Sequence, residues 1–160
     1  MTTSALCGGV VINQFRDTPL PLIYQSKEAR LNEVVRDIRA AACPVGASAP
    51  EDGPISLAEF QGFVSNKKGI VLDARPEIFH RLGHVPNALS LPRDDFENAY
   101  NRLGPLLAHR DQRLAVYCSG ASCEDSELVR DTLHKLGYTH VLIFKGGWDE
   151  WTEAGLPEEN

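Results

Sequence analysis

Apolar residues recur along this chain at two spacings, and the alternation between the two sketches a fold. Short apolar runs occur at Ile70-Val71-Leu72, around Leu89 and Leu91, at Leu114-Ala115-Val116-Tyr117 and at His140-Val141-Leu142-Ile143-Phe144. Each is too short for a helix and leans to β through its Val, Ile, Tyr and Phe content. Between these runs the spacing is helical. Leu31, Val34, Val35, Ile38 and Ala42 predict a helix over 27–42, with Ser26 as N-cap and Arg30, Glu33, Asp37 and Arg39 on its wet side. Ser56 and Glu59 stand in capping-box spacing before Leu57, Phe60 and Val64, the buried face of a short helix. A helix opening at Pro76 holds Ile78 and Phe79. Arg93 to Ala108 reads as helical with Phe96, Tyr100, Leu103 and Leu107 inward and a break at Gly104-Pro105. Leu128, Val129, Leu133 and Leu136 mark a helix after Ser126, and Trp148 to Ala154 a last short one stopped by Gly155 and Pro157. Strands alternating with helices predict an α/β fold: a mostly parallel central sheet of about five strands with helices on both faces.

Punctuation divides the chain. The stretch from Cys43 to Pro54 carries three prolines and two glycines and reads as a linker. Residues 1–54 are therefore expected to be an N-terminal extension holding one amphipathic helix, and residues 55–160 the domain proper. Within the extension, Pro19 and Pro21 imply extended backbone. The apolar patch from Ala5 to Ile12 has no basic residues before it, so it matches neither a secretory signal nor a membrane span. The alternative is that it is the tail of a longer hydrophobic anchor.

A net charge of −6 argues against a nucleic-acid partner. The four cysteines, Cys7, Cys43, Cys118 and Cys123, are too few for a disulfide-built scaffold, so a reducing compartment, the cytoplasm, is expected. No metal is expected either: Cys43 has no neighbouring ligands, and His109, His134 and His140 show no ligand spacing relative to the Cys118–Cys123 pair. No cofactor is called for.

The chemistry concentrates after the third apolar run. Cys118 is followed by small Ser119, Gly120, Ala121 and Ser122, then by Cys123, Glu124 and Asp125. A thiol on the turn between a buried strand and a helix start meets converging backbone N–H groups and the positive end of the helix dipole. Both favour the nucleophilic thiolate. The plainer alternative is a buried structural cysteine ending a strand. Ligand sites of parallel sheets lie outside the carboxyl ends of the strands. Asp73 and Cys118 each sit just past such an end and should be neighbours.

The ordered set Leu72-Asp73-Ala74-Arg75-Pro76-Glu77, Gly83-His84-Val85-Pro86-Asn87-Ala88, Val116-Tyr117-Cys118, Gly137-Tyr138 and Lys145-Gly146-Gly147-Trp148, with Trp151 and Gly155, resembles a rhodanese-type sulfurtransferase domain from about Ile55 to Pro157. The resemblance implies a catalytic cysteine, Cys118, that takes sulfane sulfur from thiosulfate or a persulfide donor. It passes that sulfur to a small-molecule or protein thiol, or to cyanide. It further implies that the backbone of Ser119, Gly120, Ala121, Ser122 and Cys123 cradles the sulfur. Asp73 and Arg75 fall on an Asp-x-Arg motif, read either as a pair tying the loop to the sheet or as a substrate contact. His84 is expected to be a turn hydrogen-bonder and Trp148 core packing.

Two departures qualify the resemblance. The loop is about two residues longer than usual before Ser126 and ends in Glu124 and Asp125, which disfavours an anionic donor such as thiosulfate. Glu124 also occupies the position at which the related phosphatases and arsenate reductases require arginine, so that chemistry is disfavoured. Cys123 is either a resolving thiol for Cys118 or an inert cysteine at the helix–sheet interface. The competing functional class is a non-catalytic rhodanese-like module or thiol redox sensor. The segment Pro19-Leu20-Pro21-Leu22-Ile23-Tyr24 with the helix after it resembles the lead-in of membrane-anchored family members, which would place the domain at a membrane or in the periplasm.

Overall fold

The computed structural model describes residues 27–41 and 52–160. Cys7, the Ala5–Ile12 patch, the Pro19–Tyr24 segment and Cys43 lie outside the described residues. The elements, in order, are α1 (Lys27–Ala41), β1 (Gly53–Ile55), α2 (Leu57–Ser65), β2 (Ile70–Asp73), α3 (Glu77–Leu82) and β3 (Leu89–Ser90). They continue with α4 (Phe96–Leu103), β4 (Arg113–Tyr117), α5 (Asp125–Lys135), β5 (His140–Phe144) and α6 (Gly147–Glu153).

The five strands form one sheet in the order β1-β5-β4-β2-β3, and every pairing is parallel. Strand β4 is central because it is apolar on both sides. Leu114 and Val116 point to one face, packed with Leu72, Val129, Leu133 and Val141, while Ala115 and Tyr117 point to the other with Phe60, Phe63, Phe144 and Trp151. All four residues from Leu114 to Tyr117 are fully buried, as a parallel strand covered twice must be.

Helix α1 belongs to the first face. Its Leu31 and Val35 are buried in the same cluster as the sheet, and Lys135 of α5 donates to Asn32 Oδ1 at 2.6 Å. Arg30, Glu33 and Asp37 are exposed. On the opposite face, α2 starts with the expected capping box: Ser56 N–H donates to Glu59 Oε2 at 2.8 Å and Glu59 N–H returns to Ser56 Oγ at 3.4 Å. The Ser56 backbone donor holds the Glu59 carboxyl below the usual carboxylate range.

Several boundaries differ from the sequence expectation. The fifth strand comes out of the linker: Gly53, Pro54 and Ile55 pair with Leu142, Ile143 and Phe144, so the sheet starts before residue 55. Turn-forming residues can occupy β1 because it is an edge strand, where a proline need not donate to the ladder. Helix α4 spans only Phe96–Leu103, and the chain passes Gly104-Pro105 in turns that still bury Leu107. Helix α5 takes in Asp125, one residue ahead of Ser126. In α3, Ile78 and Phe79 lie 59% and 50% exposed, with Leu82 at 70%. No helix among the described residues is long and apolar enough to cross a membrane.

Candidate active site

The site is built where β4 ends. Cys118 follows Tyr117 directly and is 2% exposed. Its carbonyl accepts from Trp148 N–H at 2.8 Å, and the Ser119 carbonyl accepts from Asp149 N–H at 2.8 Å. The first turn of α6 thus grips the start of the loop. That grip requires Gly147. With φ at +64°, a Cβ there would lie 2.5 Å from the Cys118 carbonyl oxygen and 2.8 Å from Gly120 N, so only glycine lets the two backbones meet. This role of Gly147 is not among those expected from the sequence. The glycine pair preceding Trp148 was the available signal.

The loop runs from Cys118 to Glu124, and within it Cys118 and Cys123 are joined as a disulfide with Cα atoms 6.2 Å apart. Cys123 is therefore not turned into the helix–sheet interface, the alternative placed beside the resolving role. Cys123 N–H donates to Gly120 C=O at 2.9 Å, closing a turn, so this donor of the expected five-residue cradle is engaged elsewhere in this conformation. Asp125 brings a carboxylate oxygen into the same cluster: it and the two sulfurs all lie within 4.8 Å of one another, a grouping the sequence reading did not foresee.

Asp73 reaches the site as expected. It is aligned with Tyr117 in the β2–β4 ladder, and Ala74 N–H donates to Tyr117 C=O at 2.9 Å. The Asp73 carboxylate is fully buried and receives Arg75 Nη2 at 2.6 Å, Arg75 Nε at 3.0 Å and the Tyr117 hydroxyl at 2.7 Å. Arg75 Nη2 also donates to Gly83 C=O at 2.7 Å. This is the geometry of the structural reading: a pair that ties the β2–α3 loop to the sheet and to the Gly83 turn. Burial works against the Arg75 charge, but the Asp73 hydrogen bonds and charge, with Tyr117 behind them, raise its pKa on balance. Burial likewise pushes the Tyr117 hydroxyl well above its ordinary value, with Asp73 adding to the effect.

Trp148 packs against the rim of the core, on the cluster that holds Phe60, Tyr117, Phe144 and Trp151. It is only partly buried, and its ring lies 4.6 Å from the Arg75 guanidinium carbon. Together Arg75, Phe79, Leu82, Gly83, Ser119, Trp148 and Asp149 line a cavity of about 340 Å³ beside the cysteine loop. The acidity expected of the loop end is also redistributed. Asp125 is paired with Arg93 at 2.6 Å, while a Cβ on Gly120 would lie 2.6 Å from Asp149 Oδ2. The carboxylate beside the cavity is thus Asp149, contributed by another element. His84 acts as a turn bonder: its Nδ1 lies 2.9 Å from His80 C=O and its ring stacks on His80 at 3.9 Å.

This chain has counterparts among known proteins in sequence and in fold. The tRNA uridine(34) hydroxylase of Escherichia coli (strain K12 / DH10B) is 27% identical over 109 residues, which is 64% of this chain. The chain spans 30% of that relative's length. Among solved structures, a Bacillus halodurans protein superposes with a TM-score of 0.58 at 21% identity, over 81% of this chain and 85% of the other. The human single domain sulfurtransferase TSTD1 does so with 0.52 at 22% identity, over 66% of this chain and 97% of the other. These two likenesses carry the fold alone. The family model for the rhodanese-like domain matches residues 56–154, from the capping serine of α2 to the end of α6, and this chain belongs to the rhodanese-like domain family.

Proposed function

We propose that the chain is a sulfurtransferase in which Cys118 carries a sulfane sulfur as a persulfide. The observation that carries this reading is the position of Cys118 at the carboxyl end of β4, on a loop clamped by α6 and opening on a cavity of about 340 Å³. The Cys118 thiolate attacks the outer sulfur of the donor. The donor's S–S bond breaks, and sulfite or a thiolate leaves with the bonding pair. The outer sulfur, now on Cys118, is then attacked by an acceptor thiolate or by cyanide, which restores the Cys118 thiolate. Arg75 is held by Asp73 and positions Trp148 at the cavity wall rather than reaching for substrate.

The named sulfurtransferase among the structural neighbours agrees with this chemistry at the level of fold. The hydroxylase relative extends far beyond the matched region, and a net charge of −6 disfavours an RNA substrate here. The test is intact mass of the reduced protein after exposure to thiosulfate or, separately, glutathione persulfide. One added sulfur atom that is absent in Cys118→Ser is the expected result. No added sulfur with either donor sinks the reading.

A second reading, a thiol redox sensor, is favoured by one observation, the Cys118–Cys123 disulfide. It predicts ready loss of two hydrogens under mild oxidant in a protein that takes up no sulfur.

A further inference from the structure

We infer that this chain releases the sulfur it carries as hydrosulfide, with Cys123 acting as a built-in acceptor for the Cys118 persulfide. The inference rests on the sulfurtransferase reading and extends it to an activity that needs no external sulfur acceptor.

The two Sγ atoms are bonded, and their Cα separation of 6.2 Å falls inside the range of about 4.4–6.8 Å that a disulfide requires. The backbone in this conformation therefore brings Cys123 within bonding reach of Cys118 Sγ. The loop is held on both sides of that bond. The carbonyls of Cys118 and Ser119 are fixed by Trp148 and Asp149 N–H groups, and Cys123 N–H is fixed on Gly120 C=O.

A persulfide has an inner sulfur, Cys118 Sγ, and an outer one. The bond in the structure is Sγ to Sγ, the product of attack on the inner sulfur. In that step the Cys123 thiolate bonds to Cys118 Sγ. The bond between inner and outer sulfur breaks, and its electron pair leaves on the outer sulfur as hydrosulfide. The sulfane sulfur is reduced by two electrons and the two protein thiols are oxidised to the disulfide, so the balance closes without an outside oxidant. A reducing dithiol then resets the pair.

Exposure assigns the direction of that reset. Cys118 is 2% exposed, whereas Cys123 is only partly buried, so the reductant meets Cys123 first and expels Cys118 as the leaving thiolate. The nucleophile is regenerated in the state the next donor needs.

The experiment loads the reduced full chain with thiosulfate or glutathione persulfide, removes the donor, and follows released sulfide and intact mass with no acceptor added. In the wild type, one equivalent of sulfide per loaded chain is expected, and the tryptic peptide spanning 114–130, which contains both cysteines, should become two hydrogens lighter. Cys123→Ser should hold its added sulfur about tenfold longer. Equal sulfur loss in the two proteins, or sulfur loss from the wild type without the two-hydrogen change, overturns the inference and leaves the sulfurtransferase reading intact. If neither protein takes up sulfur from either donor, the sulfurtransferase reading fails and takes the inference with it. Should Cys123→Ser fail to fold, the wild-type peptide mass decides alone.

Discussion

The Tyr117 hydroxyl donates to Asp73 Oδ2 at 2.7 Å, across the ladder in which the two residues are aligned. The same hydroxyl accepts from Val85 N–H at 3.2 Å, and the same carboxylate holds Arg75. One buried cluster thereby fixes the ends of β2 and β4, the Gly83–Val85 turn and, through Arg75, the Trp148 ring. The residue next to Cys118 is part of the scaffold of its loop.

Removing one member of the Asp73–Arg75 pair leaves the other charge buried. Asp73→Ala should cost about 3 kcal/mol or more, measured by urea unfolding. Tyr117→Phe, which removes only the hydroxyl, should cost about 1–2 kcal/mol. A loss below roughly 1 kcal/mol for Asp73→Ala would mean that water already reaches the site and that the pair does not organise it.

Gly147 should tolerate no side chain. Gly147→Ala places a carbon 2.5 Å from the Cys118 carbonyl oxygen at φ +64°. The backbone strain alone is about 1–2 kcal/mol, and relief of the clash must move the loop. Expected outcomes are a lower melting temperature and, in the folded fraction, sulfur loading of Cys118 reduced by about tenfold or more. Wild-type loading in Gly147→Ala would show that the clamp does not position the thiol.

Asp149 should set the donor preference. It lines the cavity against Gly120, and a dianionic donor must approach it. Asp149→Asn is expected to raise kcat/KM for thiosulfate by about three- to tenfold at low salt, with little change for an uncharged persulfide. Added salt should narrow the difference, because it screens the repulsion. Equal effects on both donors would assign Asp149 a steric role instead.

Alkaline pH should unfold the protein through its tyrosines. Burial, first of all, pushes Tyr117 and Tyr138 well above their ordinary values; Asp73 reinforces this for Tyr117 and the Tyr100 hydrogen bond for Tyr138. In the unfolded chain both titrate near the usual value of about 10. Their contribution to stability is therefore complete below about pH 10 and is lost as pH climbs from there toward the folded values. Phenolate absorbance should rise together with loss of helical circular dichroism. Replacing both tyrosines by phenylalanine should remove much of that slope, and a slope left unchanged would assign alkaline unfolding to other groups.

What the sequence determined by itself was the part written in local periodicity and order. The run Leu114–Tyr117 reads as a strand buried twice because every residue in it is apolar, and the structure buries all four. The Ser56–Glu59 box is a contact three residues apart and was legible for that reason. The placement of Cys118 between a strand end and a helix start was legible because both flank it within a few positions.

What only the tertiary structure decided depended on segments far apart in sequence. Gly53 and Pro54 carry turn composition, and they become an edge strand only because β5 offers them a ladder. Trp148 packs on the core as its sequence suggests, but only the fold brings Arg75, held by Asp73, against its ring at the cavity wall. The acidic group lining the cavity is Asp149 rather than Glu124 or Asp125, because α6 delivers it there, while Asp125 is paired with Arg93. Cys123 could have faced either way, since a five-residue separation permits both orientations. The Gly120 turn and the grip of Trp148 and Asp149 on the loop are what bring its sulfur onto Cys118.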